Sequence, residues 1–202
     1  LAVDPAKLLS RTYYVGEKGD EIANYSHNFK LGTATIKTTS FYFYNGRTAS
    51  DPLTTAEDAM TTSESYKGMV TDVDASVLLS RTFYTGEKGD EIANYAYNYT
   101  VKKDSAGAYI ASAKKNSSIF YYDDQATAIV EFLRATDALV STESPMTRSD
   151  TYKFDTAFVT DVTAGTELVK LQSRTYYVGV KGEEIANYSE NWTVKKNAAQ
   201  TD

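Results

Sequence analysis

The chain has 202 residues and a formal net charge of −6, and 42% of its residues are hydrophobic. The excess of acids argues against nucleic-acid binding, which needs clustered Lys and Arg, and no apolar run approaches the ~20 residues of a membrane-spanning helix. The lack of Cys excludes disulfides, thiolate metal sites and Cys nucleophiles.

A stretch of 22 residues occurs three times, beginning at Leu8, Leu78 and Leu171, and the first copy shares 17 of 22 residues with each of the others. Each copy predicts a β-hairpin, because its residues alternate on both sides of a turn. In the first copy, residues 8–15 and 22–29 are the strands, and two glycines in the turn tolerate positive φ. A hairpin alone is marginally stable in water, so each one must dock on something else.

The two segments between the hairpins, which we call the bodies, also resemble each other. SFYFYNG at Ser40 matches SIFYYDD at Ser118, AEDAMTTSES at Ala56 matches ATDALVSTES at Ala135, and YKGMVTDV at Tyr66 matches YKFDTAFVTDV at Tyr152 apart from three extra residues. FYFY and IFYY predict short aromatic strands. YKFDTAFVTDV predicts a strand that leads directly into the next hairpin.

Each body is also predicted to hold a helix. DPLTTAEDAM, from Asp51, has a capping Asp and Pro ahead of apolar residues. Residues 124–140 place Ile129, Phe132, Leu133 and Leu139 on one helical stripe. The predicted fold is therefore α+β and predominantly antiparallel β, with tandem ββ-β-α-β units and an extra C-terminal hairpin. Residues 1–74 are repeat unit 1, residues 75–163 are repeat unit 2 with insertions, and residues 164–202 are a partial third repeat.

The sequence predicts no enzyme, because it has no catalytic motif, no phosphate-binding loop and no metal-ligand spacing. We expect no catalytic, cofactor-binding or metal-binding residue. His27 is the only histidine, and we expect it at a solvent-facing strand position. Paired acids beside each turn are expected to be solvated, with a bound cation or a glycosidase carboxylate pair as alternatives. These pairs are Asp20 with Glu21, Asp90 with Glu91, and Glu183 with Glu184.

An arginine recurs in each hairpin within the tripeptide SRT, at Arg11, Arg81 and Arg174. An Arg within a strand is expected to pair with a carboxylate. The candidates are the acids beside each turn and the Asp of TDV. If such a pair is exposed, it stabilises by only about 0–1 kcal/mol.

The recurrent aromatic residues are open to three interpretations: core packing, a subunit interface, or a platform for sugar rings. The candidate assembly residues are Tyr13, Tyr14, Tyr25, Phe29, Tyr84, Tyr95, Tyr99, Tyr176, Tyr177, Tyr188 and Trp192. Candidate N-glycosylation sites are Asn24, Asn98, Asn116, Asn187 and Asn191. A chain rich in Asn, Ser and Thr also produces such sequons by composition alone.

Three hairpins around two bodies predict a function. If each body packs between two hairpins, the first and third hairpins each contact a body on one side only. A head-to-tail contact between their open sides makes a filament or layer. We therefore expect a structural, self-assembling protein that partners with itself, with no cofactor, in an extracellular filament, a cell-surface layer or a virion. The alternative is a tandem carbohydrate-binding, adhesin-like module with glycans as partners. Recent duplication without functional demand would also leave similar copies.

Overall fold

The computed structural model describes residues 7–127, 129–162 and 170–194. These residues form strands and connecting loops. The pairings β1–β2, β2–β3, β3–β5, β5–β6, β8–β10, β10–β11 and β11–β12 are antiparallel. The strands are β1 (Ser10–Val15), β2 (Ile22–Phe29), β3 (Ile36–Tyr44), β4 (Arg47–Thr48), β5 (Met60–Lys67), β6 (Leu78–Thr85), β7 (Ile92–Lys103), β8 (Tyr109–Tyr122), β9 (Leu133–Arg134), β10 (Met146–Lys153), β11 (Leu171–Val178) and β12 (Ile185–Asn191). The described residues contain no helix, so the predicted α+β class with one helix per unit is wrong.

The chain forms two compact units, Leu1–Glu91 with Asn98–Lys114, and Ile92–Tyr97 with Lys115–Asp202. In the first unit the strand order is β1-β2-β3-β5-β6-β7, and the short β4 pairs with β3. In the second unit the order is β7-β8-β10-β11-β12, and β9 pairs with β8. Residues 98–103 of β7 and 109–114 of β8 belong to the first unit, and the other residues of these two strands belong to the second. The division at residues 74 and 163 follows the sequence repeat and stays a prediction.

The helix predicted from Asp51 is a loop because short polar side chains bind the backbone locally. The Asp51 carboxylate accepts a hydrogen bond of 2.8 Å from the Leu53 N–H, and the Asp58 carboxylate accepts one of 2.8 Å from the Thr55 N–H. Such bonds compete with the helical hydrogen bonds. The segment consequently folds as successive turns between β4 and β5.

The helix predicted over residues 124–140 fails for the same reason. The Asp137 carboxylate accepts a bond of 3.1 Å from the Leu139 N–H, which matches the Asp51 turn in the first unit. Ile129 and Leu139, which were predicted to share one helical stripe, are 76% and 62% exposed, and Leu133 lies in β9.

The strand predicted from Tyr152 overlaps β10 only at Tyr152 and Lys153, and most of β5 and β10 was not predicted to be strand. Their sequences MTTSESYK and MTRSDTYK look polar, yet Tyr66 and Tyr152 at their ends are fully buried. Matching β5 to β10 makes Ala49, and not Ala56, the counterpart of Ala135. The strand predicted from YKFDTAFVTDV ends at Lys153 instead of continuing into the hairpin.

Each unit has its own apolar core. In the first unit the buried cluster is Phe41, Tyr66, Val77 and Leu78. In the second unit the main buried cluster is Ile119, Tyr121, Tyr152, Val159 and Leu171. A smaller cluster in the same unit comprises Ile92, Tyr122 and Ala135. Tyr66 of β5 and Tyr152 of β10 thus pack into the cores of the first and second unit at equivalent positions.

Candidate functional site

The three hairpins share one local structure. The first hairpin is β1 and β2, the second is β6 and β7, and the third is β11 and β12. Gly16, Gly86 and Gly179 open their turns with φ of 118°, 118° and 126°. A Cβ at Gly86 would lie 2.2 Å from the Asp90 carbonyl oxygen, so the position excludes a side chain. The predicted hairpins with glycine turns are confirmed.

The leading strands β6 and β11 bind the preceding strand through an ion pair whose carboxylate is buried. Arg81 pairs with Glu64 of β5, which also accepts a hydrogen bond from the Tyr66 hydroxyl. Arg174 donates two bonds of 2.9 Å to Asp150 of β10, whose carboxylate is fully buried. A bidentate pair of this kind fixes strand register as well as adding stability.

The predicted partners of these arginines are therefore wrong. Neither the acids beside the turns nor the Asp of TDV takes part. In the second unit the Asp of TDV, Asp161, instead pairs at 3.0 Å with Arg134. The acids that do take part, Glu64 and Asp150, lie in the parts of β5 and β10 that were not predicted to be strand. The shared Ser-acid-x-Tyr pattern of those two strands was the signal that could have found them.

A tyrosine of each leading strand makes a second equivalent contact. The hydroxyl of Tyr84 shares a hydrogen bond of 3.1 Å with Ser63 of β5. The hydroxyl of Tyr177 shares one of 3.1 Å with Ser149 of β10. Both side chains are half-buried as a result.

The second acid beside each turn has a structural role. Glu91 accepts hydrogen bonds from the Gly89 N–H at 3.0 Å and from the Met60 N–H, at the start of β5, at 2.9 Å. Glu184 makes the same two contacts in the second unit, with Gly182 and Met146. Burial acts to raise the pKa of Glu184, but hydrogen bonds from backbone N–H groups outweigh it and lower the pKa.

The first hairpin lacks these outer contacts within the described part of the chain. There, β1 pairs with β2 on one side, and no strand lies on its other side. The Arg11 side chain is exposed and forms no ion pair with a described residue. Tyr14 is 62% exposed, in contrast to its half-buried counterparts Tyr84 and Tyr177. We call this outer side of β1, with Arg11 and Tyr14, the head edge.

The third hairpin is open along its second strand, β12. Ile92 of the second hairpin is 7% exposed because Tyr122 and Ala135 pack on it, whereas its counterpart Ile185 is 66% exposed. Tyr188 and Trp192 are 52% and 44% exposed. All residues of β12 are exposed, and no described strand lies beyond it. We call this outer side of β12 the tail edge.

The remaining candidate assembly residues lie inside the units. Tyr13 stacks on Tyr25 with 4.5 Å between ring centroids, and Tyr176 stacks on Tyr188 at the same distance. Tyr25, Tyr95 and Tyr99 pack against the cores. Of the eleven candidates, Tyr14, Tyr188 and Trp192 are the ones that stay exposed.

His27 is buried, so the prediction of a solvent-facing position is wrong. It is 8% exposed and lies among the rings of Tyr13, Tyr25 and Phe29, with centroid distances of 5.4, 5.2 and 6.5 Å. Burial and the neighbouring Arg11 charge lower its pKa from the ordinary 6.5. The side chain is therefore a neutral member of an aromatic cluster at neutral pH. In the described part of the chain, no three His, Asp or Glu residues are grouped to hold a metal ion.

A small groove of 120 Å³ lies beside this cluster, lined by Tyr25, His27, Phe41, Met69, Val70 and Thr71. The second unit has three extra residues in the matching loop, and its Phe158 stacks flat on Tyr97, with 4.0 Å between centroids. Met69 is the counterpart of Phe158 in the first unit, and its side chain is 65% exposed. The groove thus marks a ring position that the second unit fills and the first leaves open.

A larger, open cleft of 650 Å³ lies beside the turn of the first hairpin. Ile22, Ala49 and Thr54 are part of its lining. In the second unit Val140, the counterpart of Thr54, packs against the cluster that contains Ile92. The polar Thr54 thus stands at the position that an apolar side chain fills in the second unit.

The sequons differ in accessibility. Asn187 and Asn191 are exposed on β12. Asn24 donates a hydrogen bond of 3.1 Å to Ser50, and Asn116 donates one of 3.4 Å to Gln172. Asn98 is half-buried on β7. The tail edge therefore carries the two most accessible sites, and whether any site is modified stays a prediction.

Comparison of the chain with family models, curated proteins and solved structures found no match. Over the residues that the structure describes, there is no helix of the length and apolarity needed to cross a membrane.

Proposed function

We propose that the chain is a structural protein whose copies join head to tail, the tail edge of one molecule against the head edge of the next. The contrast between Ile92 and Ile185 carries the proposal. Two nearly identical hairpins place the same residue in one case under a body, at 7% exposed, and in the other in water, at 66% exposed. Burying one such side chain is worth roughly 1.5–3 kcal/mol, which favours covering the third hairpin.

The exposed edges support the same proposal. Strand edges with unpaired N–H and C=O groups accept another strand, and proteins normally protect them. The head edge and the tail edge differ in chemistry, so a contact between them is heterologous and extends into a filament or layer instead of closing as a dimer. The setting we propose is extracellular or on a cell surface, with a virion as the alternative.

The test is polymer formation by a variant altered at the tail edge. We expect wild-type protein to form extended polymers in negative-stain images and sedimentation, and Trp192→Asp to remain short and soluble, because an ion is costly to bury in a contact. Leu53→Asp is the matched control, since Leu53 is 70% exposed in the loop between β4 and β5 and belongs to neither edge strand. It should polymerise like the wild type.

Deleting the third hairpin is a poorer test than a point substitution. Strand β11 supplies Arg174 to the buried Asp150 and Leu171 to the core, so its removal would destabilise the second unit itself. Monomeric wild-type protein at all concentrations would refute assembly. If that monomer bound glycans in an array and lost the signal in Trp192→Asp, carbohydrate binding by the exposed rings would replace it.

A further inference from the structure

We infer that β12 docks on β1 of the next molecule in the register that β5 uses on β6 and β10 uses on β11. This inference rests on the proposed head-to-tail assembly and specifies its contacts. It depends on a short pattern that occurs three times: Ser63-Glu64-Ser65-Tyr66 in β5, Ser149-Asp150-Thr151-Tyr152 in β10, and Ser189-Glu190-Asn191-Trp192, which ends one residue after β12.

The pattern distinguishes the third hairpin from the other two. The matching residues are Ser26-His27-Asn28-Phe29 in β2 and Ala96-Tyr97-Asn98-Tyr99 in β7. Neither of these strands has the acid, and both are covered by a strand of a body, β3 or β8. The strand at the tail edge is thus the one hairpin strand that carries the Ser-acid-x-aromatic pattern of β5 and β10.

The pairing inside the chain defines what the pattern does. In the first unit Ser63 lies opposite Thr82 and Glu64 opposite Arg81. In the second unit Ser149 lies opposite Thr175 and Asp150 opposite Arg174. In both units the acid binds the arginine. The serine binds the hydroxyl of the tyrosine three residues after that arginine, Tyr84 or Tyr177.

The head edge offers the same receiving residues without an occupant among the described strands. Arg11, Thr12 and Tyr14 have the spacing of Arg81, Thr82 and Tyr84. Arg11 is exposed, and Tyr14 is 62% exposed. Placing Glu190 opposite Arg11 therefore puts Ser189 opposite Thr12 and within reach of the Tyr14 hydroxyl.

Charge and aromatic placement both fit this register. Glu190 lies opposite Arg174 within its own hairpin, but Arg174 donates to Asp150. The exposed Glu190 carboxylate, which is 3.4 Å from the Tyr176 hydroxyl, therefore remains available for an arginine of the next molecule. Trp192 would take the place of Tyr66 and Tyr152, which lie opposite Leu78 and Leu171 and are fully buried. The ring now 44% exposed would cover Leu8, the counterpart of those leucines.

Charge reversal tests the ion pair. We expect Arg11→Glu and Glu190→Arg each to raise the concentration needed for polymerisation by at least about tenfold, since like charges then face each other across the contact. The double variant restores an opposite-charge pair at every contact and should polymerise within about threefold of the wild type. Failure of the double variant to recover, while both single variants are impaired, would overturn the proposed pairing.

Cysteine cross-linking tests the register, and the absence of Cys from the chain removes any background. A mixture of Thr12→Cys and Ser189→Cys proteins should form disulfide-linked dimers under mild oxidation, whereas a mixture of Thr12→Cys and Asn187→Cys should form few. Equal or preferential linking through residue 187 would overturn the register while leaving assembly intact. Absence of both polymers and cross-links would overturn the proposed function as well.

Discussion

Replacing each recurrent arginine by alanine tests the ion pairs that bind one strand to the next. Arg11, Arg81 and Arg174 share the tripeptide SRT but lie in different surroundings. Arg174 makes two bonds of 2.9 Å to Asp150, which is fully buried, and its own side chain is 16% exposed. Arg11 is exposed and forms no ion pair among the described residues. Equal sequence context makes the three substitutions a controlled series.

The expected loss for Arg174→Ala is about 3 kcal/mol of unfolding free energy. Losing one partner of a buried ion pair costs roughly 3–5 kcal/mol, but Arg148 remains 3.2 Å from Asp150 and the Tyr152 hydroxyl 3.3 Å from it. Because these two contacts to Asp150 remain, the expected loss lies at the lower end of that range. Arg11→Ala should change stability by less than about 0.5 kcal/mol, as exposed substitutions usually do.

The measurement is urea unfolding followed by far-ultraviolet circular dichroism, at concentrations too low for polymers. Arg81→Ala should give an intermediate loss, because the Arg81 side chain is 39% exposed and its charge is partly screened by water. If Arg174→Ala and Arg11→Ala unfold at the same urea concentration, the argument that a buried carboxylate fixes β10 to β11 is refuted.

Three further predictions concern local packing and pH. Gly86→Ala should lower stability by more than about 1 kcal/mol and by more than Gly89→Ala, which meets no atom within 4 Å, and thermal unfolding of both would show it. Met69→Phe should raise stability by about 0.5–1.5 kcal/mol by placing a ring where Phe158 lies in the other unit, and an unchanged midpoint would contradict this. Because the pKa of His27 is lowered in the folded protein, the contribution of this residue to stability is fully present above about pH 6.5 and is lost as the pH falls through the folded pKa. His27→Phe should remove that part of the pH dependence, and an NMR titration of the single histidine would give a folded pKa below 6.5.

The hairpins could be predicted from sequence because their signals are local. Alternation on both sides of a turn, two glycines at positive φ and facing tyrosines all belong to one continuous stretch. The stacking of Tyr13 on Tyr25 follows directly from the pairing. The bulge between Tyr13 and Tyr14 does not, because it depends on how the backbone twists after pairing.

The bodies were harder to predict because their decisive contacts are distant in sequence. The sequence of β5 is mostly polar, and two contacts distant in sequence explain why it is a buried strand. Glu64 pairs with Arg81, and Tyr66 lies in the core. The apolar spacing around Asp51 imitated a helix, while the side chains of Asp51 and Asp58 bound the backbone and produced turns. Hydrogen bonds from side chains to the backbone hardly change the spacing of apolar residues, so apolar periodicity does not reveal them.

The candidate surfaces could be predicted only in outline. A surplus hairpin was evident from the repeat count, but which side of each end is open depends on strand order. The role of Glu190 also needed the structure, because an acid on an exposed strand carries no signal until the equivalent positions of Glu64 and Asp150 are known.

The likeness of the hairpins bears on folding fidelity. Strand β5 ends at Lys67, and the hairpin that it must recruit begins at Leu78, but another with the same Ser-Arg-Thr begins at Leu171. Contacts alone discriminate weakly between these two acceptors. The roughly tenfold longer loop to the wrong one costs only about 2 kcal/mol in chain entropy, so newly made chains should sample exchanged pairings before settling. The order in which the hairpins leave the ribosome would then favour the near acceptor, and refolding from urea should be slower and less complete than folding during synthesis.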